Sequence, residues 1–244
     1  MKNKFYITTP IYYVNDKPHI GHAYTNIASD VIARFKSLDG YEVKFLTGTD
    51  EHGQKVEKSA HKHSINTQEY VDKIAQNFVN LTKDLNLSND DFIRTTEKRH
   101  KSFVQNVWQK LINNNQIYLG KYSGWYSIRD EAYFLESELI DGKAPSGAPV
   151  EWIEEPSYFF KLESFQQKLL DFYKNNPNFI QPESRKNEVI SFVKSGLKDL
   201  SVSRTSFQWG IKVPNNDNHV IYVWLDALFN YISALNDKDV SFWP

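Results

Sequence analysis

Between Thr9 and His22 the chain reads Thr-Pro-Ile-Tyr-Tyr-Val-Asn-Asp-Lys-Pro-His-Ile-Gly-His, and no other stretch restricts the fold as much. Its two prolines and Asn15-Asp16 keep it out of regular structure. Lys4 to Thr8 before it (Lys-Phe-Tyr-Ile-Thr) is β-branched and aromatic, and reads as a short buried strand. From Gly21 the apolar period changes. Ile27, Val31, Phe35 and Leu38 recur at helical spacing with Ala28 and Ile32 beside them, which predicts one face of a helix. Gly40 is placed to end that helix in a left-handed C-cap. Strand, loop and helix N-terminus therefore follow one another, with His19-Ile20-Gly21-His22 at the junction. Free N–H groups and the helix dipole attract phosphate to such a place. Gly21 has no Cβ, so a flat base can approach the backbone there. His19 and His22 can donate hydrogen bonds to phosphate oxygens as charge develops. Two histidines near a glycine are also ordinary surface or core residues, so this motif does not decide alone.

Composition narrows the classes. With 29 basic and 30 acidic residues the net charge is −1, so no global basic field holds nucleic acid and any such contact must use local patches. There is no cysteine, which excludes disulfides and thiolate metal sites. The N-terminus leads straight into a strand without a hydrophobic signal segment, and no apolar run is long enough to span a membrane. The expectation is a soluble cytoplasmic protein. Aromatic residues make up 15% of the chain, enough to furnish both a core and a pocket for a flat or thioether ligand.

After Gly40, Glu42 to Leu46 reads as a second strand, completing a right-handed βαβ unit. The loop expected next, Thr47 to Lys55, lies where open α/β sheets bind ligands. Gly48 and Gly53 have P-loop separation, but Gln54 stands at the lysine position and no Ser or Thr follows Lys55, which rejects a Walker A site. Asp50, Glu51 and His52 are adjacent, and adjacent side chains rarely converge on one metal. A short helix is predicted from Gly53 to Lys62. A longer one starts at Asn66 with Glu69 as a capping box and Tyr70, Ile74, Phe78, Leu81 and Leu85 inward. Asp91 to Thr95 reads as a third strand. Glu97 to Asn114 reads as a helix with Val104, Val107, Trp108, Leu111 and Ile112 on one stripe. Its outer face begins Lys98-Arg99-His100-Lys101, either a solvated face or a local phosphate patch. From Ile117 the chain turns short, aromatic and Gly-punctuated, a β-rich insertion that returns through helices around Phe165–Tyr173 and Ser184–Lys194. Trp209–Val213 and Val220–Trp224 read as strands and Leu225–Leu235 as a helix. There Trp224, Ala227, Leu228 and Tyr231 share a face, as core packing or as a small-floored pocket with aromatic walls.

The opening stretch, Thr-Gly-Thr-Asp-Glu-His-Gly and Tyr-Val-Trp-Leu-Asp-Ala-Leu, in this order and spacing, resemble the methionyl-tRNA synthetase family, in its bacterial type without zinc-knuckle cysteines. The resemblance covers essentially the whole chain. It implies an α/β class I catalytic domain with a Rossmann-like parallel sheet, its first half split by a connective insertion. The implied organisation is 1–115 for the first half of that domain, 116–205 for the insertion and 206–244 for the return, with the chain ending before the second half. The implied reaction is methionine plus ATP, with Mg, giving methionyl-adenylate and pyrophosphate, then transfer to methionine tRNA. His19 and His22 match the catalytic histidines, with Gly21 beside them in ATP binding. Ile11, Tyr13, Trp224, Ala227, Leu228 and Tyr231 match the methionine pocket. Asp50 matches the carboxylate that holds the α-amino group, and Arg204 an active-site arginine whose other role would be a structural ion pair.

The sequence departs from the family in two ways. Where relatives carry Cys-x-x-Cys knuckles, Tyr126 to Asp130 has no thiolate, so no zinc is expected and the insertion must be held by its Tyr and Trp residues. The KMSKS loop is also absent. The alternatives to a ligase are a non-catalytic methionine- or nucleotide-binding fragment and an HxGH nucleotidylyltransferase. The class I fold would order the three strands 3-2-1 and leave Lys4–Thr8 as a sheet edge. On that basis the 244-residue chain alone is expected to be inactive and prone to associate through the edge.

Overall fold

The computed structural model describes residues 3–130, 132–235 and 239–243. Contacts divide it into two compact units, Met1–Trp108 with Thr205–Pro244, and Gln109–Arg204.

In the first unit, strand β1 (Lys4–Thr8) leads through the two-residue strand β2 (Tyr12–Tyr13) to helix α1 (Ile20–Leu38) and strand β3 (Glu42–Asp50). Helices α2 (Gln54–Lys62) and α3 (Thr67–Asp84), strand β4 (Asp91–Arg94) and helix α4 (Lys98–Asn113) follow. Every pairing in this sheet is parallel: β3 is central, with β1 and β2 on one flank and β4 on the other. This is the expected 3-2-1 order, with β1 at the edge. β1 is half-buried rather than buried, because it has one sheet neighbour. β3 is longer than Glu42–Leu46. Thr47, Gly48 and Thr49 read as loop formers, but their pairing with β4 keeps them extended.

Local chemistry accounts for the helix ends. Asn66 caps α3 by accepting from the N–H groups of Gln68 and Glu69 at 2.9 and 3.4 Å. Gly40 takes φ +88°, the left-handed conformation expected of it after α1. The inward side of α3 carries Tyr70, Val71, Ala75 and Phe78, packed with Tyr12, Val14, Val56 and Ala60 into one apolar cluster. A smaller cluster joins Leu46, Ile93 and Ala234, with Tyr6 and Ile11 against it.

Helix α1 is seated differently. Its buried residues are Asn26, Asp30 and Ala33. Asn26 accepts from the Thr47 hydroxyl at 3.1 Å, and Asp30 accepts from the Ser88 backbone and hydroxyl, both at 2.6 Å. The apolar stripe that announced the helix faces solvent: Ile27, Val31, Ile32, Phe35 and Leu38, joined by Ile20 and Tyr24, are all exposed, Leu38 by 89%.

In the second unit, β5 (Ile117–Ser127) pairs antiparallel with β6 (Ala132–Phe134) and with β7 (Glu151–Phe160). Helices α5 (Gln166–Asn175) and α6 (Glu183–Lys194) follow, then β8 (Leu200–Ser201), which pairs with β7, and β9 (Ser203–Arg204). Rings do the packing expected of them: Tyr122 lies 4.2 Å from Tyr133, Trp125 meets Trp152 edge-on at 5.4 Å, and Tyr118 stacks on Phe159 at 5.6 Å.

The chain re-enters the first unit through the hairpin β10 (Lys212–Val213) and β11 (Asn216–Ile221); β10 is shorter than the strand expected there, and β11 begins and ends earlier than Val220–Trp224, because Trp224 already lies in a turn. A 3-10 turn over Ala227–Phe229 and the single-turn helix α7 (Asn230–Ser233) replace the continuous helix. Among the described residues no helix is long and apolar enough to cross a membrane.

At Gly48 the missing side chain lets β3 lie against Ile93 of β4. A Cβ there would stand 2.1 Å from the Ile93 carbonyl oxygen and 2.6 Å from its Cγ2. Gly48→Ala is expected to cost about 3 kcal/mol by overpacking. For a chain of this size that lowers Tm by roughly 6 to 12 °C. An unchanged melting curve would refute the close approach.

Candidate active site

His19 and His22 form a reciprocal cap on α1. Nδ1 of His19 accepts from the Gly21 backbone N–H at 3.1 Å, and Nδ1 of His22 accepts from the His19 backbone N–H at 3.0 Å. The rings lie 3.9 Å apart. A neutral imidazole that accepts at Nδ1 carries its proton on Nε2, so each ring keeps an Nε2–H donor that the cap does not use. Burial, with His19 alongside, lowers the pKa of His22 and favours its neutral form. Its ring is wedged edge-on against Tyr12 and Phe78 at 4.7 and 5.2 Å. Two expectations change. The Gly21 N–H is already used by His19, so the imidazoles, rather than that amide, are the donors available to a phosphate. The room above Gly21 is filled too: a Cβ would sit 2.9 Å from His19 Cε1, so the missing side chain admits the His19 ring rather than a base.

Asp50 ends β3. It keeps some accessible surface while Glu51 and His52 after it are buried. Burial is the largest cause raising its pKa to about 7; the Asp226 charge adds to this, and His52, through its charge and backbone N–H, opposes it. Glu51 is fully enclosed and saturated. Arg94 grips it through Nε at 2.6 Å and Nη2 at 2.9 Å, and the Thr49 and Thr96 hydroxyls donate at 2.6 and 2.5 Å. His52 donates from Nδ1 to Asp226 at 2.7 Å. The three adjacent residues thus do three separate things, and among the described residues no group of His, Asp and Glu is arranged to hold a metal.

The pocket residues gather in the same unit. Tyr13 pairs with Asp50 in register, and its hydroxyl lies 3.1 Å from where a Gly53 Cβ would be. Ile11 packs on the Leu46–Ile93–Ala234 cluster. Ala227 is buried, Tyr231 half-buried, and Trp224 and Leu228 are exposed by 46% and 54%. The turn that carries them is closed by Asp226 N–H to Tyr222 O at 3.1 Å and Ala227 N–H to Val223 O at 2.9 Å, so the helical spacing survives without a helix. Arg204 belongs to the second unit. Its Nη1 donates to Ser201 Oγ at 2.6 Å and the Ser203 carbonyl at 2.7 Å, its Nε is 3.9 Å from Glu155, and it lies over the Tyr133 ring.

The sequence reading missed four residues here. Asp226 accepts from His52 and from His100 Nε2 at 3.0 Å, and His100 Nδ1 meets Ser233 Oγ at 2.7 Å. Trp209 donates Nε1–H to the Glu51 carbonyl at 2.6 Å and accepts the Gly53 N–H at 3.2 Å. His100 was legible: the buried stripe of Val104 and Trp108 reaches back four residues to it. Of the run read as either a solvated face or a phosphate patch, His100 is buried and Arg99 is held by both oxygens of Asp91 at 2.7 and 2.9 Å, so neither is offered to a phosphate.

The family described as tRNA synthetases class I (M) matches residues 5–149 and 138–241. The methionine–tRNA ligase of Rickettsia felis is 66% identical over 250 residues, covering 100% of this chain and 49% of its own. That of Bacillus subtilis is 55% identical, covering 99% of this chain and 39% of its own. The chain therefore spans half or less of the length of these curated relatives. Mycobacterium tuberculosis methionyl-tRNA synthetase in complex with methionyl-adenylate superposes with a TM-score of 0.92 at 49% identity, over 99% of this chain and 50% of that one. Its apo form gives 0.79 at 47% identity, over 100% and 49%. The chain therefore belongs to the tRNA synthetases of class I, type M.

Proposed function

We propose that this chain forms part of a cytoplasmic ligase that activates methionine with ATP to methionyl-adenylate and charges methionine tRNA. The observation that carries the reading is the pair of Nε2–H donors held by the α1 cap in the unit that also holds Asp50 and the Trp224–Tyr231 turn. In this proposal Asp50 binds the substrate ammonium. Tyr13, Ile11, Trp224, Ala227, Leu228 and Tyr231 enclose the thioether. His19 and His22 stabilise negative charge as the methionine carboxylate displaces pyrophosphate from the α-phosphorus, with Gly21 making room for the first of them. Magnesium would enter on the triphosphate, since no metal-holding cluster occurs among the described residues. The cysteine-free sequence supports a zinc-free insertion, which we assign to 116–205, between the catalytic segments 1–115 and 206–244; the compact unit Gln109–Arg204 supports that division. The partners of Arg204, two neutral oxygens at hydrogen-bond distance and the Glu155 carboxylate at 3.9 Å, support a structural role for it.

In this reading the histidines act on the chemical step. In the natural chain that carries this sequence, at its full length, His22→Ala should lower kcat for ATP–pyrophosphate exchange by about 10² or more. A rise in methionine KM with kcat unchanged would make the histidines ground-state binders instead.

Asp50 gives a pH signature. Methionine enters as an ammonium and needs the ionised carboxylate, so affinity should fall below pH 7, by roughly tenfold per unit. The stability effect has the opposite sense. With a folded pKa near 7, above the unfolded value, the folded state binds more protons than the unfolded one between these values, and stability falls as pH rises through that window. Asp50→Asn should therefore raise Tm at pH 8 while methionine binding, followed by calorimetry, is lost. A variant that melts earlier than wild type at pH 8 would contradict the burial argument.

A further inference from the structure

The loop that carries Asp50 past the end of β3 is held by side chains rather than by secondary structure. Glu51 is tied to β4 through Arg94. The loop backbone is tied to Trp209. His52, two residues after Asp50, is bonded at 2.7 Å to Asp226, one residue before Ala227. That bond directly joins the loop of the ammonium-binding carboxylate to the turn of the apolar pocket.

Asp226 has no other use for its carboxylate. It occupies the N-cap position of the 3-10 turn over Ala227–Phe229, where an aspartate ordinarily accepts from the turn's own N–H groups, but its side chain makes no capping bond. Oδ2 goes to His52 and Oδ1 to His100 at 3.0 Å. His100, donating from Nε2, can accept from the Ser233 hydroxyl at Nδ1, 2.7 Å away, which closes the chain of bonds on α7. All of these side chains are buried. Such a chain permits one arrangement of its members and resists sliding.

We propose that Asp226, gripped by His52 and His100, is a positioning residue that fixes the gap between the Asp50 carboxylate and the turn carrying Ala227 and Leu228, and thereby sets the length of amino-acid side chain that the site accepts. A substrate held by its ammonium at one end and its side chain at the other measures that gap. The inference rests on the functional reading above. The charge of Asp226 reaches Asp50 as well. Asp50 faces Asp226, His52 and Glu51, and of the two carboxylate charges that oppose its ionisation Asp226 is the larger and Glu51 the smaller.

The test uses the natural full-length chain and ATP–pyrophosphate exchange with methionine, ethionine and norvaline, which differ in side-chain length. In Asp226→Asn the amide can accept from one histidine only. Methionine KM should rise about tenfold with kcat changed far less, discrimination against ethionine should weaken by about tenfold, and the acid limb of the KM profile should move to lower pH. His52→Ala should show the same KM and selectivity changes. His52→Asn, whose amide nitrogen can take the place of Nδ1, should recover most of both, so the His52 pair decides the matter if Asp226→Asn does not fold. A residue that merely stabilises the fold would lower the active fraction, and so kcat, and leave KM, selectivity and pH profile in place. Wild-type protein without methionine-dependent exchange would overturn the functional reading and this inference with it. Active wild type with unchanged KM and ethionine discrimination in Asp226→Asn and His52→Ala would overturn the inference alone.

Discussion

The enclosed carboxylate of Glu51 is the constraint on which the first unit depends. An unpaired charge at that depth costs several kcal/mol, and the fold offsets it with a two-pronged Arg94 contact and two threonine hydroxyls. Arg94 ends β4 and Thr49 lies on β3, so satisfying the charge also fixes the carboxyl ends of two parallel strands against each other. Those ends are where an open α/β sheet presents its ligands. Asp50 and His52 flank Glu51, and their positions follow from it.

Two further carboxylates in this unit are pushed in opposite directions. Burial raises Asp226, but His52 and His100 outweigh it and hold its pKa at about 2; Asp50, with less compensation, rises to about 7. Neighbouring groups of one kind whose environments separate their titration divide their roles in the same way. The permanently charged one is committed to His52 and His100, and in the proposed function the one poised near neutrality takes the substrate ammonium.

Periodicity and punctuation made much of this architecture legible. The Asn66 cap, the left-handed Gly40 and the parallel β1–β3 pairing follow from local rules that tertiary context did not override. Where reading failed, the cause was long-range. Thr47 to Thr49 look like loop residues, and only their neighbour β4 makes them strand. Asp226 looks like one polar residue in an apolar turn, and nothing nearby in sequence announces that its partners are His52 and His100, 174 and 126 positions away. The His-x-Gly-His motif marked the start of α1, but the internal use of both Nδ1 atoms, which decides which ring nitrogens remain as donors, is a matter of geometry.

The outward stripe of α1 has a thermodynamic consequence. The heat capacity of unfolding is dominated by apolar surface that passes from the interior into water. Ile20, Tyr24, Ile27, Val31, Ile32, Phe35 and Leu38 are in contact with water already, so they add little to it. They add equally little to the denaturant m-value, which scales with newly exposed area. The chain as described should therefore have a flatter stability curve and a shallower denaturant response than its length implies. Any surface that covers α1 would steepen both, making calorimetric curvature a direct gauge of whether that helix is covered.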